Sequence, residues 1–488
     1  MIFQKFLLTY LKQIIKSHQG KKKRFCRLEA YKKSQKQTFS ARASGKIMLW
    51  QVKKILHCHF PDLSSRLSAI QDPRKGSIQY SIEELLMSAI VLFLLKYDSR
   101  NDFNNRYKDE IFRKNYDRMF ALRLPHMDAV NDLLEKITPQ ELEDIRCGLI
   151  SVLIEKRVFH KFRFFSKYFH IAVDATGVYN WGNDPSDAVK EFALTKESGK
   201  GKVSYFSNVL EAVLICNNGT SIPLITEWIA NDEENYDKQD CESKAFKRLS
   251  IRLKKYFPRL NICILADGLY TNVSMMNICK EYGWHFILVF KDGNLPSVWE
   301  EVNRLLPLAG MVESHQESFY DSIHRTSRQY RWIKNLEYKK HAIQWVECVQ
   351  EWENIKTGEK KTNRFVFLTG WEVNKDNIAS IITAGRGRWF IEDHFNTQKN
   401  RGGKLHHKFN RNNFTAIKNW HHIRELTCMI DELVKHTAEI VQLKKENQKL
   451  SWKDLYKSLN SYLTMLSIEE EMAEFERWSM SDRQVRLE

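Results

Sequence analysis

The chain has 488 residues, 43% apolar and 28% charged, a composition that fits about three globular domains and excludes wholesale disorder. With 19 Gly and 9 Pro it is neither collagen-like nor linker-like, and its longest apolar stretch, Leu85 to Leu95, is too short to span a bilayer. A formal net charge of +17 points to a polyanionic partner, although the first 47 residues, with thirteen Lys or Arg against the single acid Glu29, carry twelve of those charges.

Residues 1–47 are therefore expected to be a basic tail, with Lys21-Lys22-Lys23-Arg24 at its centre and Met48 as an alternative start. The apolar part of the N-terminus is too short for a signal peptide, so no membrane association and a cytoplasmic location, at the nucleoid only when bound to DNA, are expected. Nine scattered cysteines without a C-x-x-C pair suit a reducing compartment. His57-Cys58-His59 lacks a second half-site at zinc spacing.

Residues 48–160 have helical periodicity. Ser81-Ile82-Glu83-Glu84 is a capping box before the apolar stretch. Thr138-Pro139-Gln140-Glu141 is another, with apolar residues following at Leu142, Ile145, Leu149, Val152 and Leu153. The pattern changes in 165–294. Tyr168 to Val173, Val203 to Cys216 and Ser221 to Trp228 read as strands, the last two joined by Asn217-Asn218-Gly219. A helix from about Asp240 to Tyr256, a strand Ile262 to Ala266, a helix Val273 to Tyr282 and a strand His285 to Phe290 complete a mixed five-stranded sheet with helices on both faces, an α/β fold. Residues 295–382 read as a β-rich insertion with strands at 329–333, 342–349 and 364–368. Residues 383–402 return to helix and stop at Gly402-Gly403, and 403–488 form a C-terminal helical region.

Asp174 and Asp267 follow the first and fourth strands, where open α/β sheets place their active sites. Each alone is equally a turn cap. Together on neighbouring strands they would repel unless neutralised, and hard oxygen ligands select Mg2+ or Mn2+. On the 386–400 helix, Arg388, Glu392, Phe395 and Lys399 fall on one stripe at about 100° per residue. Glu392 can serve as third ligand, with Arg388 and Lys399 on phosphate oxygens, the alternative being an ordinary Arg–Glu surface pair. Asp393 lies about 100° off this stripe. The basic segment from Arg401 to Arg411, with Lys404, Lys408 and Phe409, has the composition of a loop that tracks a nucleic-acid backbone. His406-His407 and His421-His422 read as polar surface. Gly385-Arg386-Gly387 and Ser198-Gly199-Lys200-Gly201-Lys202 fit neither dinucleotide nor P-loop motifs, so no nucleotide cofactor is expected.

These pieces resemble the DDE transposases of bacterial insertion sequences, most nearly the insertion-sequence-4 superfamily. The resemblance rests on Val173-Asp174-Ala175-Thr176-Gly177, on Asp267-Gly268-Leu269-Tyr270, and on Arg388-x3-Glu392-x6-Lys399 followed by Asn400-Arg401-Gly402. Lys238-Gln239-Asp240-Cys241-Glu242, leading into the next helix, is also similar. The resemblance implies an RNase H-like core with Asp174, Asp267 and Glu392 as catalytic ligands of two Mg2+ (or Mn2+) ions. It also implies DNA contacts from Arg388, Lys399, Arg401, Lys404 and Lys408, and base stacking by Trp389 or by an insertion aromatic such as Trp332. One position departs: the family's helix motif usually begins with Tyr where this chain has Gly385, which puts a hairpin route of excision in doubt.

The implied reaction is strand cleavage at element ends by water, then attack of the freed 3′-hydroxyl on target DNA. The partners would be terminal inverted repeats, read by the 48–160 helical domain and by residues 403–438, and target DNA, with a homodimer on DNA. Two other readings are open on the residues alone: a nuclease of the same fold that does not join strands, and a non-catalytic DNA-binding derivative.

Overall fold

The computed structural model describes residues 42–182, 185–197, 202–230, 241–480 and 485. Most of the basic tail, the Ser198–Gly201 segment and Lys238-Gln239-Asp240 lie outside them. Residues 42–59 form one helix. Met48 sits inside it, fully buried, so the fold does not open there. Gly45, in the same helix, lies so close to Ser458 and Tyr462 that a Cβ would meet the Ser458 carbonyl at 2.6 Å.

Both capping boxes form. The Ser81 hydroxyl accepts from the Glu84 N–H at 3.1 Å, while a Glu84 carboxylate oxygen accepts from the Ser81 N–H at 2.8 Å. Glu141 accepts from both the N–H and the hydroxyl of Thr138. They start helices Ile82–Leu94 and Pro139–Glu155, which pack against helix Phe414–Lys435 from the other end of the sequence. Asn419 on that helix donates to the carbonyls of Leu134 and Ile137, each at 2.8 Å. The N- and C-terminal helical regions thus share one core. Helix Phe414–Lys435 is buried along most of its length, which removes it as a DNA-reading element.

The sheet has ten strands: β1 (Phe169–Gly182), β2 (Leu194–Glu197), β3 (Val203–Ile215), β4 (Ser221–Ile229), β5 (Ile262–Ala266), β6 (His285–Val289), β7 (Glu313–Tyr320), β8 (His324–Tyr338), β9 (His341–Asn354) and β10 (Lys360–Thr369). Their order is β2-β3-β1-β5-β6-β10-β9-β8-β7, with β4 also paired to β3. Among the described strands only β1–β5 and β5–β6 pair in parallel, so the fold is α/β with a mixed, mostly antiparallel sheet. The expected five strands become ten, because β2 adds one and the β-rich segment, which is no separate unit, adds four. Its last strand, β10, pairs antiparallel with β6, covering what would otherwise be an exposed edge.

Alternate residues of the sheet feed two cores. Ile171, Val173, Ile262, Ile264 and Leu288 join the large core with helices Glu242–Tyr256 and Val273–Tyr282. Ala172, Val213, Cys263, Leu265 and Ile287 pack on the opposite face beneath helices Ile378–Gly387 and Trp389–Asn400. The expected 386–400 helix is therefore two helices, joined at Arg388. None of the described helices is long and apolar enough to cross a membrane.

Candidate active site

β1 is longer than its apolar run. It continues through Asp174 to Gly182, whereas its parallel neighbour β5 ends at Ala266, the partner of Val173. Asp174 is therefore inside a strand and Asp267 just past one, and the two stand side by side at the level where the parallel pairing stops. Asp267 does cap a turn, accepting from the Leu269 N–H at 2.8 Å, and its other oxygen faces Lys291 Nζ at 3.4 Å. The glycine after it is required by packing: a Cβ on Gly268 would meet the Asn294 side-chain oxygen at 2.6 Å.

Glu392 comes from helix Trp389–Asn400, which lies across β1 and β3. Arg388, only 9% exposed, closes the set. Its guanidinium donates to Asp174 Oδ2 at 3.2 Å and to Glu392 Oε1 at 2.6 Å, so one side chain spans the gap between the two acids. Burial pushes the Asp174 carboxyl up to about 6; Asp267 and Glu242 add to this, against Arg388 and the Ala175 N–H, which hold it down. Glu242, at the start of its helix, accepts from the Tyr270 hydroxyl at 2.8 Å. It makes the site four carboxylates deep. The signal for it was the Asp240-Cys241-Glu242 segment, whose role spacing alone could not assign.

The donor set is one of hard carboxylate oxygens, with Asp174 raised chiefly by burial and a cationic side chain as bridge, the ligand type that divalent metals such as Mg2+ take. Arg388 now stands between Asp174 and Glu392. Among the described residues, the set close enough to hold a metal ion directly is a different one: Glu211, His421 and Glu425, whose ligand atoms lie within 4.8 Å of one another.

That second group occupies the same sheet face, since Glu211 on β3 is the cross-strand partner of Asp174. It could hold a metal ion, and all three members are fully buried. Two cations already face it. His394 Nε2 is 3.4 Å from Glu211 and 3.8 Å from Glu425, and Arg424 Nε is 3.5 Å from Glu425. Burial opposes charging His394, but the hydrogen bonds and charges of the two glutamates outweigh it and raise its pKa to about 9. Arg424 also contacts His421 Nδ1. A guanidinium only donates, so His421 carries its proton on Nε2, toward Glu211 and Glu425. Burial and Arg424 keep this imidazole neutral. The expectation of a polar surface at His421-His422 is thus wrong, for both rings are core residues. The legible sign was a lone Glu within the apolar run Val209-Leu210-Glu211-Ala212-Val213.

The basic candidates divide. Lys399 is half-buried on the Glu392 side of its helix, where burial lowers its pKa and the charges of Glu211 and Asp174 act to raise it. Arg401 pairs with Asp393 at 3.0 Å, Lys404 pairs with Asp98, and Lys408 sits over the Trp181 ring at 5.1 Å. The 401–411 segment is not an open loop: Leu405 and Phe409 are buried, and Asn410 donates to Asn131 and Glu135. Trp332 is 1% exposed in the sheet core, which excludes it from base stacking. Trp389 is 66% exposed beside Arg388 and remains available. Gly385 also has a packing reason: a Cβ there would meet the Phe367 ring at 2.7 Å.

No protein-family model and no curated protein matches this chain.

Proposed function

We propose that the protein is a DNA transposase that cleaves strands at element ends and transfers the 3′-hydroxyl into target DNA. The observation that carries the reading is Arg388, held between Asp174 and Glu392 while Asp267 stands at the same level on the next parallel strand. Three acids far apart in sequence share one sheet face. A binding-only protein has no need of three half-buried carboxylates gathered at one place. The strand order β4-β3-β1-β5-β6, antiparallel in its first half and parallel in its second, supports an RNase H-like core.

Asp174, Asp267 and Glu392 would hold Mg2+ or Mn2+, which when bound supplies Lewis-acid polarisation of the phosphoryl oxygens and neutralises charge. Released from the carboxylates, Arg388 presents a planar fork suited to two phosphate oxygens. Lys399 adds a point charge from the same helix, and Trp389 offers an exposed ring for a base. These groups position the scissile phosphate, and positioning with charge neutralisation accounts for most catalysis of this kind. Terminal inverted repeats and target DNA are the proposed partners, with two protomers joining two ends by analogy with the family.

The test incubates labelled element ends and a target plasmid with Mg2+. Asp174→Ala and Glu392→Gln should abolish cleavage and leave DNA binding largely intact. Equal cleavage by wild type and variants would remove these residues from the mechanism. Products that are cut but never joined would assign the protein as a nuclease of the same fold.

A further inference from the structure

A cleft of about 1500 Å³ runs from Glu392 and Trp389 along the extension of the sheet, past Lys291, Arg364, Arg328 and Arg386. Two arginine pairs line the sheet here, built alike but charged differently. Arg331 and Arg364 converge on Glu347, donating to its two oxygens at 2.6 and 2.7 Å, so a carboxylate offsets one of their two charges. Arg328 on β8 and Arg386 in the last turn of helix Ile378–Gly387 converge on Gln350, donating to its single Oε1 at 3.2 and 2.9 Å. That acceptor is a neutral amide. Neither guanidinium of this second pair has an ion-pair partner among the described residues.

The pair is also held in place. Gln350 is the cross-strand partner of Arg328, and the guanidinium carbons lie 4.9 Å from the Phe319 ring and 4.4 Å from the Phe365 ring. The acid nearest in register is Glu317, opposite Arg328. It is turned to the Tyr330 hydroxyl at 3.0 Å and His315 at 3.4 Å. Burial and the charge of Arg328 both lower the Arg386 pKa, as expected for like charges without a counter-ion. Beside Arg386, a Cβ on Gly387 would meet nothing within 4 Å, so the backbone there is open to a ligand. Glu317 and Asp292 also line the cleft, but the two guanidinium forks are fixed, share a neutral amide as acceptor and make no ion pair among the described residues, and such a pair on the wall of an open cleft selects a phosphate group.

We propose that Arg328 and Arg386, bridged by Gln350, bind a backbone phosphate of the DNA strand that enters the cleft toward Glu392. This rests on the transposase reading for its ligand, but its test does not need catalysis. The binding of a labelled DNA duplex is followed by anisotropy across a salt series. The Arg328→Gln/Arg386→Gln double variant should weaken binding about tenfold or more at low salt. It should also reduce the slope of log K against log salt by about 1, near 0.9 for the one phosphate no longer neutralised. Gln350→Glu should produce the same weakening with both arginines present and no fall in thermal midpoint, because it supplies the missing counter-charge; a merely structural role would not separate the two readouts.

Unchanged affinity and slope in both variants would overturn the proposal, as would a wild-type protein that does not bind duplex. Binding of inorganic phosphate by wild type but not by Gln350→Glu, with duplex affinity unaltered, would overturn the DNA assignment in favour of free phosphate. If wild type and Asp174→Asn alike fail to cleave while duplex binding still depends on the arginine pair, the transposase reading falls and the phosphate site stands.

Discussion

Asp174→Asn should stabilise the protein while removing its proposed chemistry. The Asp174 carboxyl rises from an ordinary 3.8 to about 6 because burial, and then Asp267 and Glu242, disfavour its charge more than Arg388 and the Ala175 N–H favour it. That displacement corresponds to about 3 kcal/mol at 1.36 kcal/mol for each tenfold change in proton affinity. The folded state keeps the proton to higher pH than the unfolded chain. The penalty is therefore absent below pH 3.8, accumulates between 3.8 and about 6, and is complete above. Asn, like the protonated acid, keeps a carbonyl acceptor for Arg388, and the attraction to Arg388 that it forfeits is already contained in the net displacement. Denaturant unfolding of wild type and variant from pH 4 to 8, without divalent metal, should show the variant gaining about 3 kcal/mol as the pH rises through this window. Added Mg2+ should shrink the gap by stabilising the ionised wild-type carboxylate. A stability difference that is flat in pH, or that favours wild type increasingly above pH 6, would refute the account of the site as a crowded carboxylate pocket.

Arg388→Met removes the side-chain cation that spans Asp174 and Glu392, so Mn2+ binding to the DNA-free protein, read by electron paramagnetic resonance, should tighten several-fold; unchanged or weaker binding would contradict the idea that Arg388 stands where a metal would. Trp332→Ala should cost about 3–5 kcal/mol in chemical denaturation, whereas Trp389→Ala should leave stability within about 0.5 kcal/mol and weaken single-strand binding by about 1–3 kcal/mol. His394→Gln leaves Glu211 and Glu425 short of one buried cation and should cost about 3–5 kcal/mol near neutral pH. The stability that His394 contributes is present below its ordinary 6.5 and lost as pH rises through about 9, so the variant should lack that alkaline decline.

Much of the chain could be read locally. Strand Ile262–Ala266 and helix Val273–Tyr282 lie where the apolar pattern and the flanking turns place them, and both capping boxes form, because caps, turns and periodicity act over a few residues. The stripe of Arg388, Glu392 and Lys399 was likewise legible, being local to helix Trp389–Asn400 and its N-cap Arg388. The joining of the β-rich segment to β6 was not, since which edge a strand covers depends on residues far away in sequence.

Burial decided the rest. Trp332, His421 and Phe409 carry side chains that suit a surface or a core equally well, and only the elements folded over them settle which. Arg388 is the sharpest case. The amino-acid order set its place beside Glu392, but its hold on Asp174, 214 residues earlier, exists only because helix Trp389–Asn400 lies across β1. Charge type and spacing are written in the chain; whether a charge meets water, a partner or an uncompensated neighbour is a property of the three-dimensional packing, because desolvation is set by everything that surrounds the group.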